Sequence, residues 1–262
     1  MATLTTRDDV TLDYHTYGQG QPIILIAGYS GNQATWTAQI HGLMDMGLQV
    51  ITYDRRNHGA SSSVSYGMRM SRHGQDLAEL IKMLQLKRPI LLGHSMGAST
   101  IWAYLSLYGD DNIAAIITED QVPLMISQKD WSYGLFDVNM ADLQVAIERL
   151  PQTKLTRLKL SDEIKLVIGQ NYQPFDFKFN QPLLLNSLIQ DWRDVVRREQ
   201  VPHLFIAGDA SPLWPADHAK VASNMAPKGR YAMVKGAGHI PHLEDPVTFN
   251  TIVRNFIREL RI

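Results

Sequence analysis

The sequence predicts an α/β fold: a mostly parallel central sheet with helices on both faces, and a small helical cap. Three observations carry this expectation. Compact apolar runs recur without polar alternation: Pro22-Ile23-Ile24-Leu25-Ile26-Ala27, Val50-Ile51-Thr52-Tyr53, Pro89-Ile90-Leu91-Leu92 and Ile113-Ala114-Ala115-Ile116-Ile117-Thr118. Strands covered on both faces read this way, because every side chain meets a packed layer. Between the runs lie segments with apolar residues at helical spacing, as parallel strands require crossover helices. A chain of 262 residues, 45% of them hydrophobic, is long enough for one such domain with an insertion.

Taken in order, residues 3–6 and 10–17 alternate around Arg7-Asp8-Asp9, which predicts an antiparallel hairpin at a sheet edge. The Ile23 and Val50 runs follow, separated by a helical segment over residues 32–46. Residues 71–86 form a helix with Leu77, Leu80, Ile81 and Leu84 on one face, leading into the run that ends at Gly93. Ile101, Tyr104, Leu105 and Tyr108 then mark a helix before the Ile113 strand. Residues 121–199 change character: apolar clusters at helical spacing are broken at Leu150-Pro151 and Gln173-Pro174, and no compact strand stands out. This predicts a helical cap at 121–199 between two halves of a core domain, 1–120 and 200–262. Strands return at residues 202–207 and 231–234, with a helix opening near Pro215 between them. The last helix has Asp245 as N-cap and Pro246 at its first position.

Composition narrows the function. The 25 Lys and Arg nearly balance the 26 Asp and Glu, so nothing draws the chain to nucleic acid or an anionic membrane. A small-molecule substrate fits better. The absence of cysteine excludes disulfides, a thiolate nucleophile and a cysteine zinc site. No stretch approaches a membrane span, and the first residues are polar, so a cytoplasmic location is expected. Neither metal nor cofactor is expected, since His239 and His242 share a loop with a proline between them. Oligomeric state is left open.

The chemistry centres on Gly93-His94-Ser95-Met96-Gly97, a serine on a strand-to-helix turn. Such a turn leaves no room for side chains two residues either side of the serine, which accounts for both glycines. It presents the hydroxyl at a helix start, where free N–H groups stabilise a forming anion. A base is needed, and nine histidines are available. His239 stands out, because Gly236-Ala237-Gly238-His239 directly follows the last predicted strand. Parallel strands gather their C-terminal ends, so Ser95 and His239 share one sheet edge. His242 precedes Leu243-Glu244-Asp245-Pro246, a helix entry, and reads as structural.

With these motifs, the chain resembles the α/β-hydrolase family along nearly its whole length. Gly28, Tyr53-Asp54-Arg55-Arg56-Asn57-His58-Gly59-Ala60-Ser61, Gly93-His94-Ser95-Met96-Gly97 and Gly238-His239 match its landmarks in order. The resemblance implies Ser95 as nucleophile, His239 as base, and an oxyanion hole formed by the Tyr29 and Met96 N–H groups. Two departures are minor: Ala27 stands where a histidine is usual, and Asn57 where a glycine is. The third touches the triad. Family members commonly place the acid where this chain has Ser211, in Gly208-Asp209-Ala210-Ser211. A serine cannot hold a charge opposite an imidazolium. Asp209 is one substitute, two residues early. Asp120, just past the Ile113 strand, is the other and is preferred. It matches the position a minority of the family uses, adjoins the nucleophile strand, and is held more firmly than a loop residue. Glu119 is set aside because strand alternation turns it to the opposite face.

The cap supplies Leu124, Trp131 and Phe136, and the loop after residue 207 supplies Trp214, as apolar walls for a substrate. The resulting expectation is a serine hydrolase, a carboxylesterase of small apolar esters acting through an acyl-enzyme. A perhydrolase, a C–C hydrolase or a cofactor-independent dioxygenase would reuse the same residues, and a ligand receptor would keep the fold without turnover. The dioxygenases of this fold carry histidines on both sides of the serine, whereas here Met96 follows it.

Overall fold

In a computed structural model, residues 2–260 are described; Met1, Arg261 and Ile262 lie outside them. Eight strands form one sheet in the order β1-β2-β4-β3-β5-β6-β7-β8. They are β1 (Ala2–Thr5), β2 (Thr11–Tyr17), β3 (Gln21–Ile26), β4 (Leu48–Tyr53), β5 (Ile90–His94), β6 (Ala115–Glu119), β7 (His203–Gly208) and β8 (Gly229–Val234). The hairpin at the edge pairs antiparallel, as does β2 with β4, and every later pairing is parallel.

The helices are α1 (Thr37–Met44), entered through a 3₁₀ turn, then α2 (Met70–Met83), α3 (Met96–Tyr108), α4 (Leu143–Arg149), α5 (Asp162–Gln170), α6 (Gln181–Leu188), α7 (Arg193–Arg198), α8 (His218–Ser223), α9 (Pro241–Glu244) and α10 (Pro246–Leu260). Alternation along the strands explains their unbroken apolarity. Ile24, Ile26 and Leu91 pack into one core with Leu77 of α2 and Trp102 of α3. Their neighbours Ile23, Leu25 and Leu92 pack into the other, with Trp36 and with Phe249 and Val253 of α10. Each such side chain, sealed from water, contributes roughly 1.5–3 kcal/mol. The start of α10 is capped as its sequence suggests: the Asp245 carboxylate accepts from Thr248 N–H at 3.0 Å.

Several boundaries differ from the sequence reading: the helix read at 32–46 is α1 after a 3₁₀ turn, the helix read at 71–86 ends at Met83, and two further shifts are larger in consequence. The strand expected at 113–118 runs from Ala115 to Glu119, because β6 follows the register of β5, with His94 opposite Glu119. The helix expected near Pro215 starts at His218. Residues 121–199 hold α4 to α7 and short 3₁₀ turns, with only isolated bridges, Leu124 to Asp191 and Gln128 to Trp131. Helix α5 lies against α1, α6 against α2 and α7 against α3. No helix of the described residues is long and apolar enough to cross a membrane.

Candidate active site

Ser95 sits between β5 and α3 with φ +52° and ψ −121°, a conformation that costs a non-glycine residue energy and persists only where its surroundings enforce it. They do so closely. A Cβ on Gly93 would stand 2.5 Å from the Gly97 carbonyl carbon, and one on Gly97 would stand 2.1 Å from the Ile26 carbonyl oxygen. Ser95 N–H donates to the Glu119 carbonyl at 2.9 Å, so the turn is tied to the end of β6.

One residue past β6, Asp120 also has a left-handed backbone, φ +45°, and its carboxylate turns toward the histidine loop. Its Oδ2 lies 2.6 Å from His239 Nδ1. Ser211 Oγ donates to the same oxygen at 2.7 Å, and Gly208 N–H donates to Oδ1 at 3.1 Å. Burial pushes this carboxyl up, but the His218 and His239 charges and the bonds from His239 and Ser211 outweigh it and hold it below the usual range. The other carboxylate weighed from the sequence, Asp209, accepts instead from Gly236 N–H at 2.5 Å and braces the loop after β8. Ser211, at the position where the family resemblance leads one to expect the acid, is instead a hydroxyl donor to Asp120.

The His239 loop is firmly held. The Glu244 carboxylate accepts from Gly238 N–H (3.0 and 2.9 Å), Ile240 N–H (3.1 Å), Arg157 N–H (2.6 Å) and Leu158 N–H (2.8 Å). His239 N–H donates to the Leu155 carbonyl at 2.8 Å, and its own carbonyl lies 2.8 Å from His94 Nε2. The residue before Ser95 therefore binds the backbone of His239. Sequence reasoning took Glu244 only as part of a helix entry; its hold on a loop and on residues 157–158 leaves no local signal.

Two N–H groups beside the turn have no protein acceptor among the described residues. Met96 N–H is the first of α3, which a helix cannot satisfy itself. Tyr29 N–H, after β3, has no protein acceptor among the described residues. The Gly28 backbone comes close: a Cβ there would lie 3.0 Å from Ser95 Cβ. Among the described residues, no group of three His, Asp or Glu is placed to hold a metal ion.

Residues 21–246 match the alpha/beta hydrolase fold family. The chain belongs to that family. Similar proteins include a putative non-heme chloroperoxidase of Synechocystis sp., 27% identical over 98% of this chain and 99% of that one. A bifunctional esterase/perhydrolase of Acinetobacter calcoaceticus is 23% identical over 98% of this chain and all of its own. Among solved structures, an esterase from Exiguobacterium antarcticum superposes with a TM-score of 0.86 at 20% identity, covering 98% of both chains. This α/β-hydrolase is an enzyme, a hydrolase.

Above the hydrolase turn, an aromatic group missed from the sequence closes on Tyr29. Phe175 and Phe177, in the segment between α5 and α6, meet the Tyr29 ring edge-on at 4.9 and 5.8 Å, and His58 joins them at 4.8 Å from Phe175. The alternating Phe175-Asp176-Phe177 was the available signal. Of the expected wall residues, Trp131 Nε1 donates to the Leu124 carbonyl at 2.8 Å, both buried within the insertion. Phe136 lies under the Arg149 guanidinium at 4.1 Å. Trp214 Nε1 donates to the Asp120 carbonyl at 3.2 Å.

Proposed function

We propose that this α/β-hydrolase is a serine carboxylesterase of small apolar esters. Ser95 Oγ attacks the ester carbonyl while His239 takes its proton, Asp120 holds the Nδ1–H side of the ring and balances the imidazolium, and the Tyr29 and Met96 N–H groups receive the oxyanion. His239 then protonates the leaving alcohol. Water, deprotonated by the same ring, releases the acid. Residues 1–120 and 200–262 form the catalytic core and 121–199 the cap, with Leu124, Trp131, Phe136 and Trp214 among the apolar surroundings of the acyl or alcohol group. The observation that carries this reading is the 2.6 Å contact between Asp120 and His239 on a loop bonded to the residue before Ser95.

A second reading is favoured by similarity to an esterase/perhydrolase: hydrogen peroxide would replace water on the same acyl-enzyme and leave as a peracid. A fluorophosphonate probe should label Ser95, and p-nitrophenyl acetate and butyrate should be hydrolysed, with both signals lost in Ser95→Ala. Labelling without turnover of any acyl chain counts against the esterase. Peracetic acid formed from acetate and peroxide faster than p-nitrophenyl acetate is hydrolysed moves the assignment to the second reading.

A further inference from the structure

Two adjacent arginines after β4 meet burial in opposite ways. Arg56 follows the usual rule for a sealed cation: Nε and Nη2 reach the Asp76 carboxylate at 2.6 and 2.8 Å, and Nη1 reaches Asp8 at 3.0 Å. Arg55 is equally sealed, at 2% exposure, yet among the described residues no carboxylate lies within ion-pair distance of it. Its Nε donates to the Ala27 carbonyl at 3.1 Å and its Nη2 to the Gly28 carbonyl at 2.7 Å. The remaining contacts are imidazoles, His58 Nε2 at 3.0 Å and His73 Nδ1 at 3.4 Å.

Those rings are neutral acceptors. His58 Nδ1 lies 2.8 Å from the Arg56 carbonyl, to which it donates, leaving Nε2 to accept. Burial, then the Arg55 charge, hold both rings well below the usual histidine range. Burial also pulls Arg55 down, to about 10, where it stays cationic at neutral pH. The guanidinium is therefore left without a contacting counter-ion, and the shortest of its backbone bonds falls on the Gly28 carbonyl. That oxygen and Tyr29 N–H are the two ends of one peptide unit. A charged donor on the oxygen draws electron density through the amide and makes the N–H more positive.

We propose that Arg55 is a positioning residue that orients and polarises the Gly28–Tyr29 peptide, strengthening Tyr29 N–H as an oxyanion donor. The inference rests on the esterase reading above. A carboxylate beside Arg55 would quench the effect, which accounts for imidazoles in its place. The hold on two successive carbonyls, Ala27 and Gly28, fixes the peptide plane that presses against the nucleophile turn.

The test compares Arg55→Gln, Arg55→Met and Arg55→Lys in the full chain, using p-nitrophenyl acetate and phenylboronic acid, which forms a tetrahedral anion on a serine hydroxyl. In the neutral variants kcat should fall about 100-fold with KM within about threefold, boronate affinity should fall in the same ratio, and Arg55→Lys should keep kcat within about tenfold. Neutral variants with near-wild-type kcat, a loss seated in KM, or a lysine variant as damaged as the glutamine one would each overturn the proposal. Should the neutral variants not fold, wild-type NMR decides. Gly28-Tyr29 is the chain's single Gly-Tyr pair, so carbonyl-¹³C glycine with ¹⁵N tyrosine gives one correlation for this peptide. A Gly28 carbonyl carbon clearly downfield of its random-coil position is expected, and one at that position sinks the inference. A Tyr29 amide proton that does not respond to boronate, together with turnover by Ser95→Ala, sinks the esterase reading itself. A responsive amide with indifferent Arg55 variants sinks only Arg55.

Discussion

Consecutive residues at the end of β6 each bind a histidine, and the two pairs have different fates. Asp120 meets His239 at 2.6 Å, and Glu119 meets His242 Nδ1 at 2.7 Å. Glu119 ends β6 and its partner His242 packs beside Phe249 of α10, whereas Asp120, one residue past the strand with a left-handed backbone, turns to the His239 loop that is bonded to His94, the residue before Ser95. His242 also stacks on Trp36 with ring centroids 4.2 Å apart. Asp120 collects a hydroxyl, a backbone N–H and an imidazole, and stays ionised. Among the described residues Glu119 is hydrogen-bonded by His242 alone, through its ring and its 2.9 Å backbone N–H, and burial pushes its carboxyl up to about 7. The same burial, with repulsion from His239, pulls His242 down to about 3. A carboxylate at a histidine is therefore not in itself a catalytic arrangement. What differs is the supply of further donors to the anion and a reacting group within reach.

The largest expected effect would break this comparison outright. Asp120→Asn should lower kcat for p-nitrophenyl acetate by about four orders of magnitude, while Glu119→Gln and Asp209→Asn stay within about tenfold of wild type. Equal losses at Glu119 and Asp120 would erase the distinction. The next effect is on stability. Glu119 holds its proton more tightly in the folded chain than in the unfolded one, so its contribution to stability is full below the ordinary carboxylate range and is lost as pH rises through about 7. Glu119→Gln stays neutral throughout, and His242 titrates in both proteins. Relative to wild type, the variant should therefore gain about 1–3 kcal/mol between about pH 5 and about pH 8, read from denaturant midpoints. A difference independent of pH would show that Glu119 is an ordinary carboxylate. The smallest effect sharpens the role of Ser211. Ser211→Ala removes one donor from Asp120 and should lower kcat only about two- to fivefold, with stability down about 1 kcal/mol; a loss as deep as that of Asp120→Asn would make the serine itself part of the proton-handling machinery.

Much of the fold was readable locally. The hairpin, the parallel strands and the capped α10 follow from alternation, apolar runs and Asp245-Pro246, all of which act over a few residues. Gly93 and Gly97 announce the Ser95 turn because the steric demand is local as well. Glu119, set aside in the sequence reading, binds His242 and not His239. The boundary of β6 was misplaced by a residue or two because it is set by pairing with β5, not by its own composition. Phe175 and Phe177 went unread as partners of Tyr29, since nothing near residue 29 specifies an aromatic contact almost 150 positions away.

By itself the sequence determined the layer architecture, the strained serine turn and the histidine after the last strand, because each rests on backbone sterics and side-chain periodicity within one element. The tertiary structure alone decided which carboxylate reaches His239, what Ser211 does in the acid's usual place, and why Arg55 goes without a counter-ion. Asp120 and His239 are 119 residues apart, and only the register of parallel strands, the left-handed backbone at Asp120 and the Glu244 brace bring them together.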